Sequence, residues 1–238
     1  VITGIVVALP EELSTLTSQK LVKGCCHSLN ETTLLCLSGT GPENAAKTAN
    51  QLISNGANRL VSWGCAAALH ESCKPGDLIL PDCLVSENSP PIFLNSPWLE
   101  ESRAVLQTIN PDCELTGTLA ESVHIVSTAA EKKRVAEHTQ AKALDMESYA
   151  IAEVAKLHEL PCLVVRAIAD PASMDLPKAI SFAIDQQGEV VLTRLLSYLI
   201  THPNEIPSLI RLGKDFSLAR KTLQLAAKKL NSFSLCAN

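Results

Sequence analysis

Short β-branched apolar runs alternate with amphipathic helical patterns until about residue 170, and that alternation leaves few folds open to this chain. ITGIVVALPEEL passes from a strand into a helix, with Pro10 at the helix start and acids in its first turn. Two strands are expected around 21–28 and 33–38. The glycine turn SGTGPENA then opens a helix that faces Ala45, Ala49, Leu52 and Ile53 inward. RLVSWGCAAAL reads as a buried strand ending in a tight turn, and KPGD at 74–77 as a type I or II turn. The polar, proline-rich stretch 87–97 reads as a surface loop and 98–109 as a helix. HIVS at 124–127 reads as a short strand before a helix over 129–138. Such alternation predicts an α/β fold of three layers, α/β/α, around a central, largely parallel or mixed sheet. Beyond Pro177 only helices are expected, roughly 189–201, 204–212 and 214–231, punctuated by Pro203 and Pro207. With no linker composition and no internal repeat, residues 1–238 read as one domain with a helical subregion over about 178–238.

Composition narrows the class of protein. The formal charge of −5 argues against a nucleic-acid partner, which would need a basic surface for the phosphates. No apolar run is long enough to span a bilayer, so a soluble protein is expected. Nine cysteines include no CxxC pair, and Cys25 and Cys26 are adjacent. That pattern suits neither a zinc site nor a disulfide framework, and no metal is expected. Cys36, Cys65 and Cys162 lie in apolar runs, where a thiol acts as a small hydrophobe. The opening apolar stretch is short and lacks a basic lead, so no secretory signal is read and a reducing cytoplasm is the expected compartment. Arg220, Lys221, Lys228 and Lys229 share a helical pattern with Leu223, Ala226, Ala227 and Leu230. They read as a solvated helix face, with contact to anionic lipid as the alternative.

Two acids carry the chemical reading. In LDMESYAIAEVAKLHELPCLVVRAIADP, Asp145 reads as a helix N-cap, with Met146, Ala150, Val154 and Leu157 on one helical face. Leu163, Val164 and Val165 form a buried strand whose carboxyl end delivers Arg166 and then Asp170. Ligands of open α/β sheets lie at such strand ends. The helix start bearing Met146 and Glu147 could face the same crevice. A carboxylate that grips a polar group and a carboxyl that delivers a proton are two parts of glycosyl-transfer chemistry. Each residue also has an ordinary explanation. The helix dipole favours Glu in a first turn by roughly 0.3–1 kcal/mol, and Asp before Pro starts turns. SGTGPENA has neither the GxGxxG nor the GK[ST] pattern. Its glycines present backbone N–H groups to an anion or a ribose hydroxyl, or simply make a turn. The small residues Cys65 to Ala68 allow close backbone approach to a ligand, or close packing of a helix.

VVALPEEL, SGTGPENAAKTA, SWGCAAAL with KPGDLILPD, ALDMESYAIA and VVRAIAD together resemble the purine nucleoside phosphorylase and nucleosidase superfamily, in the same order. They look most like its 5'-methylthioadenosine/S-adenosylhomocysteine nucleosidase branch. The tail DPASMDLPKAISFAIDQQGEVVLTRLLSYLITHPNEIPSLIRL is similar to that of the hopanoid-biosynthesis-associated phosphorylases, which act on adenosylhopane. The resemblance implies a mixed sheet of about nine strands wrapped by helices, and a homodimer. It places Met146 beneath a ribose, Glu147 on the ribose hydroxyls, and Asp170 as the general acid that protonates the purine at N7. Glu12 matches the acid that activates water. Cys65, beside Ala66, takes a serine's place at the sugar or phosphate side. Gly39 and Gly41 lie in the anion-facing loop, and Arg166 matches a strand arginine counted with the substrate contacts.

This chain departs from that pattern at three places. Ala169 replaces the serine that usually precedes the proton-donating Asp, Cys65 is a poorer donor than serine, and Thr128 and Ala129 fall where an aromatic stacks on the purine. With 3% aromatic residues, a pocket for the 5' group would be aliphatic. The implied reaction is cleavage of the N-glycosidic bond of a small-molecule adenosyl nucleoside with release of adenine. Phosphorolysis of adenosylhopane is the favoured form, with phosphate as co-substrate and no cofactor. Hydrolysis by a methylthioadenosine or adenosylhomocysteine nucleosidase and a silent nucleoside-binding protein are the alternatives. A lipid substrate would add transient contact with a membrane surface. The mechanism asks for opposite environments: Asp170 protonated by burial, Glu147 kept ionised with help from the helix N-terminus.

Overall fold

The computed structural model describes residues 1–87, 89–183 and 192–234. Strand β1 (Thr3–Val7) runs into the short helix α1 (Pro10–Leu13), and the hairpin β2 (Cys26–Asn30) and β3 (Thr33–Leu37) follows. Helix α2 (Pro42–Ser54) leads to β4 (Arg59–Ala68), then β5 (Leu78–Ile79), β6 (Cys83–Ser86) and β7 (Ser89–Phe93). Helix α3 (Pro97–Leu106), β8 (Thr118–Glu121), α4 (Ala129–Thr139) and β9 (Ala143–Asp145) come next. Helix α5 (Ser148–Leu157) and β10 (Cys162–Asp170) complete the alternating part, and α6 (Lys178–Ala183), α7 (Leu192–Thr201) and α8 (Ile206–Ser234) close the chain. The strands make one mixed ten-stranded sheet in the order β2-β3-β1-β4-β9-β8-β6-β7, with β10 beside β4 and β5 beside β10. Helices flank it, so the expected α/β architecture holds.

The centre of the sheet is largely buried, with Ser62 of β4 and Arg166 and Asp170 of β10 as polar exceptions to an apolar core. Every residue of β10 is buried, as a strand covered on both faces requires. β4 is parallel to both β1 and β10, in register Val7↔Trp63↔Val165. Its far half turns to pair antiparallel with β9 through Ala67 and Ala68. A bulge between Ile168 and Asp170 breaks the β4–β10 register at the strand's carboxyl end, a device that re-aims side chains beside sites. Helix α8 lays Leu223, Ala226 and Ala227 towards the core, as the spacing predicts, with Leu230 partly buried beside them and Ala219 buried as well. Lys221, Lys228 and Lys229 stay on its exposed side, whereas Arg220 is half-buried and donates to Ser14 Oγ at 2.7 Å.

Several local expectations are corrected. Residues 21–24 belong to an irregular turn, and β2 begins at Cys26. The stretch expected to be all loop holds β7, in spite of Pro90 and Pro91. It is an edge strand, where a missing N–H breaks no ladder. HIVS is not a strand; TLAE at β8 is. Asp145 ends β9 and Glu147 is the N-cap of α5, although Asp145 Oδ1 still accepts from the Ser148 N–H at 3.2 Å. Leu157 is exposed in the last turn of α5 rather than inward. The two helices expected over 204–231 are one, since Gly213 continues the helix and Pro207 sits in its first turn, where no N–H bond is lost. The start expected at 189 for the preceding helix falls outside the described residues. The described cysteines are free thiols, and burial pushes Cys36 and Cys162 up to about 12. Among the described residues no helix is long and apolar enough to cross a membrane.

Candidate active site

A cavity of about 280 Å³ opens where the carboxyl ends of β4, β9 and β10 meet α1. Glu12, Asp145, Glu147 and Asp170 all line it, together with Cys65, Ala66 and Met146. The two acids singled out in the sequence therefore share one cleft. Its outer wall is apolar: Leu9, Ile125, Leu176, and Leu212 and Phe216 from α8.

Glu12 is fixed by the turn that carries it. Its Oε2 accepts from the Leu9 N–H at 3.1 Å, closing the first turn of α1, and its Oε1 accepts from the Cys65 N–H at 2.7 Å. Burial raises its pKa against the pull of the Arg166 charge. Gly64 makes this approach available. A Cβ there would lie 2.6 Å from Glu12 Oε1 and 2.3 Å from Arg166 Nη1, so no other residue fits without displacing the pair. The Cys65 thiol is likewise pushed well up by burial and by the neighbouring Glu12, which leaves it a neutral group at the cavity wall.

Arg166 organises the acids from beneath. It is 2% exposed and donates from Nε to Asp145 Oδ2 at 2.6 Å and to Ser148 Oγ at 3.2 Å, and from Nη2 to Ser62 Oγ at 2.7 Å. Nη2 also stands 3.9 Å from Glu147 Oε2. The expected substrate contact is thus corrected: Arg166 lies under the cavity floor, held by carboxylates and hydroxyls. Glu147 Oε1 accepts from the Gly41 N–H at 2.9 Å, so that amide is turned onto the acid rather than towards an anion. Gly39 is covered by the Lys23 side chain, whose Cε would lie 2.1 Å from a Cβ at that position. In the loop expected to bind phosphate, Thr40 is the residue that lines the cavity. Thr128 is corrected too. Its hydroxyl accepts from the Glu131 N–H at 3.2 Å and caps α4. The wall near it is made by His124, Ile125 and Val126, which sequence patterning read as a strand.

Glu147 differs from the expectation that it stays ionised. Burial, reinforced by Asp145 and only partly offset by Arg166, pushes it up to about 8. Asp170 is also raised, chiefly by burial, so the two carboxyls do not have opposite environments in the unliganded site. The shift has a sign that can be measured. Glu147 keeps its proton in the folded chain where the unfolded chain has lost it. This contribution to stability is therefore fully present below about 4.5 and is lost as pH climbs through about 8. Glu121, raised by burial to about 7, acts in the same direction. The melting temperature is expected to fall between pH 6 and pH 9, roughly 2–4 °C for each kcal/mol lost. Glu147→Gln should remove most of that slope. A slope in the variant equal to the parent's would show that Glu147 is ionised at neutral pH.

Asp170 has a partner that no sequence pattern announced. Lys132, fully buried on α4, lies 2.7 Å from Asp170 Oδ2, while Asp170 Oδ1 is buried with no hydrogen-bond partner among the described residues. Among the described residues no cluster of His, Cys, Asp or Glu could hold a metal ion.

Known proteins share this fold. A family model described as the phosphorylase superfamily matches residues 3–200. The structure is similar to the 5'-methylthioadenosine/S-adenosylhomocysteine nucleosidase of Neisseria meningitidis in complex with methylthio-immucillin-A, with a TM-score of 0.71, 16% identity, and 97% of this chain and 99% of that chain covered. It is similar to the futalosine hydrolase of Helicobacter pylori strain 26695, with a TM-score of 0.67, 18% identity, and 97% and 95% covered. The nucleosidase of S. pneumoniae with the transition-state inhibitor MT-ImmA gives a TM-score of 0.68 at 18% identity, with 97% and 100% covered. At such identities these structures speak to the fold. No curated protein sequence matches the chain. The family match over most of the chain identifies the protein: it belongs to the phosphorylase superfamily.

Proposed function

We propose that the protein cleaves the N-glycosidic bond of an adenosyl nucleoside and releases adenine. The observation that carries this reading is the shared cavity of Asp170 and Glu147, in which burial raises the pKa of both acids. Bond cleavage leaves positive charge on the sugar and negative charge on the departing base. Asp170 delivers a proton to the base at N7, an effect typically worth about 10²–10⁴-fold. Glu147 takes the ribose hydroxyls, with Met146 beneath the sugar, and the bonds those hydroxyls donate favour the carboxylate form as substrate enters.

The apolar wall of Ile125, Leu176, Leu212 and Phe216 supports a substrate with an apolar 5' group, and the resemblance of the tail makes adenosylhopane the candidate. Exposed Leu196, Ile200, Ile206 and Ile210 share α7 and the start of α8 with Arg194, Arg211 and Lys214. They support transient contact with an anionic membrane surface carrying such a lipid. A homodimer in the cytoplasm belongs to the same reading. The tail favours phosphate as the attacking group. A second reading, attack by water, is favoured by the cavity lining, which among the described residues includes Glu12 and neither Lys nor Arg. Adenine release from 5'-methylthioadenosine and from adenosylhopane, each with and without phosphate, tests all of this. Release that requires phosphate identifies a phosphorylase, and release without it a hydrolase. Binding of both nucleosides without release would overturn the enzymatic reading.

A further inference from the structure

We propose that Lys132 is a positioning residue for this reaction: its ammonium fixes one oxygen of Asp170 so that the other, Oδ1, carries the proton to the departing base. The inference rests on the reading of the site given above. Lysine is almost never fully buried unless paired, yet Lys132 is 0% exposed while its neighbours Lys133 and Arg134 on α4 face solvent. An ammonium has three N–H donors, and each has an acceptor here: Pro171 O at 2.9 Å, Met174 O at 2.8 Å and Asp170 Oδ2 at 2.7 Å. The two carbonyls belong to the turn that follows β10, so the ammonium ties that turn and the acid to one point.

The bond to Oδ2 decides where the proton goes. Lys132 can only donate, so a neutral Asp170 must carry its hydrogen on Oδ1. That oxygen is buried, has no partner among the described residues and belongs to a residue that lines the cavity. A native structure rarely leaves such a group orphaned without a purpose. In the reaction the Oδ1–H bond breaks as the N7–H bond forms. The electron pair of the glycosidic bond moves into the purine, and the attacking nucleophile bonds the anomeric carbon. The charge then left on Asp170 lies against the ammonium. Lys132 thereby supplies orientation at a site where Ala169 offers no hydroxyl. Three charged groups influence Asp170: Lys132 from α4 favours ionisation, while Asp175 after β10 and Asp215 from α8 oppose it. With the ammonium gone, burial and both remaining acids act in one direction, and Asp170 holds its proton to higher pH.

The test is the pH profile of adenine release for the parent, Lys132→Gln, Asp170→Asn and the double variant, with Lys132→Met as a second replacement that keeps the apolar stem. The single Lys132 variants should lose about tenfold or more in kcat. Their alkaline limb, where Asp170 loses its proton, should move to higher pH. In the Asp170→Asn background the same change should alter kcat less than about threefold, because a residue acting through Asp170 has nothing left to act on. An unmoved limb, or losses that multiply, would overturn the proposal and leave Lys132 a purely structural tie. Should no nucleoside be cleaved, the functional reading fails, and the pairing is tested by adenine binding. Calorimetry in buffers of different ionisation enthalpy should find greater proton uptake in the parent than in Lys132→Met, and equal uptake would refute it.

Discussion

Asp170→Asn is expected to lower kcat for adenine release by at least about 10²-fold while changing nucleoside affinity far less. The reasoning comes from the two oxygens of the parent side chain. Lys132 donates to Oδ2, so an asparagine will turn its carbonyl oxygen to the ammonium and its amide nitrogen into the cavity. That nitrogen still offers a hydrogen bond to N7, which keeps the ground-state contact. It cannot give up a proton as the base leaves, which is the part of the interaction made only in the transition state. Steady-state kinetics on the substrate found to be cleaved will separate the two. A kcat loss with KM nearly constant fits this account. Full activity in the variant would remove Asp170 from the mechanism. An equal loss expressed only in KM would make the residue a binding group.

The parts of the site that could be read in advance are those in which local chemistry and global position coincide. Asp170 follows a β-branched run, and a strand end in an α/β sheet is a ligand position whatever the exact neighbours. Met146, Glu147, Cys65 and Ala66 are readable from pattern as well as resemblance and Glu12 from resemblance alone, and all of them line the cavity. What stayed hidden was fixed by partners distant in sequence. Arg166 stands on a readable strand, but its burial follows from Asp145 and Ser62, supplied by other strands. Lys132 lies in AAEKKRVAEH, which carries every mark of a solvated helix. Only the turn after β10 decides which of its two adjacent lysines goes inside. The ionisation of Glu147 is hidden for the same reason, since a helix N-terminus is visible in sequence and the depth of burial is not. β8 and β9 were missed because strands of four and three residues show no periodicity. The single helix α8 was split at Gly213 because a glycine's small local penalty of about 1 kcal/mol says nothing of the packing that outweighs it.

Arg166→Met should be the most destabilising of the changes considered, by about 3–5 kcal/mol near pH 8, since removing one member of a buried ionic cluster leaves the others uncompensated. The guanidinium is bound to Asp145, Ser62 and Ser148 and stands beside Glu147, and its charge partly opposes the rise that burial gives Glu12. Methionine fills much of the volume but donates nothing. The loss should depend on pH, and the sign follows from the acids. Without the cation, Glu12 and Glu147 are pushed higher still, so the variant takes up protons that the parent does not. It should therefore be less impaired at pH 5, well below the value of about 8 at which Glu147 loses its proton in the parent, than at pH 8. Urea unfolding at the two pH values measures this directly. Arg166→Lys keeps the charge but loses the planar fork that spans Asp145 and Ser62, and should fall between parent and Met. A Met variant within 1 kcal/mol of the parent at pH 8 would mean that the cluster is already neutral. In that case Glu147 could not become the charged partner of a ribose without a proton acceptor brought by the substrate itself.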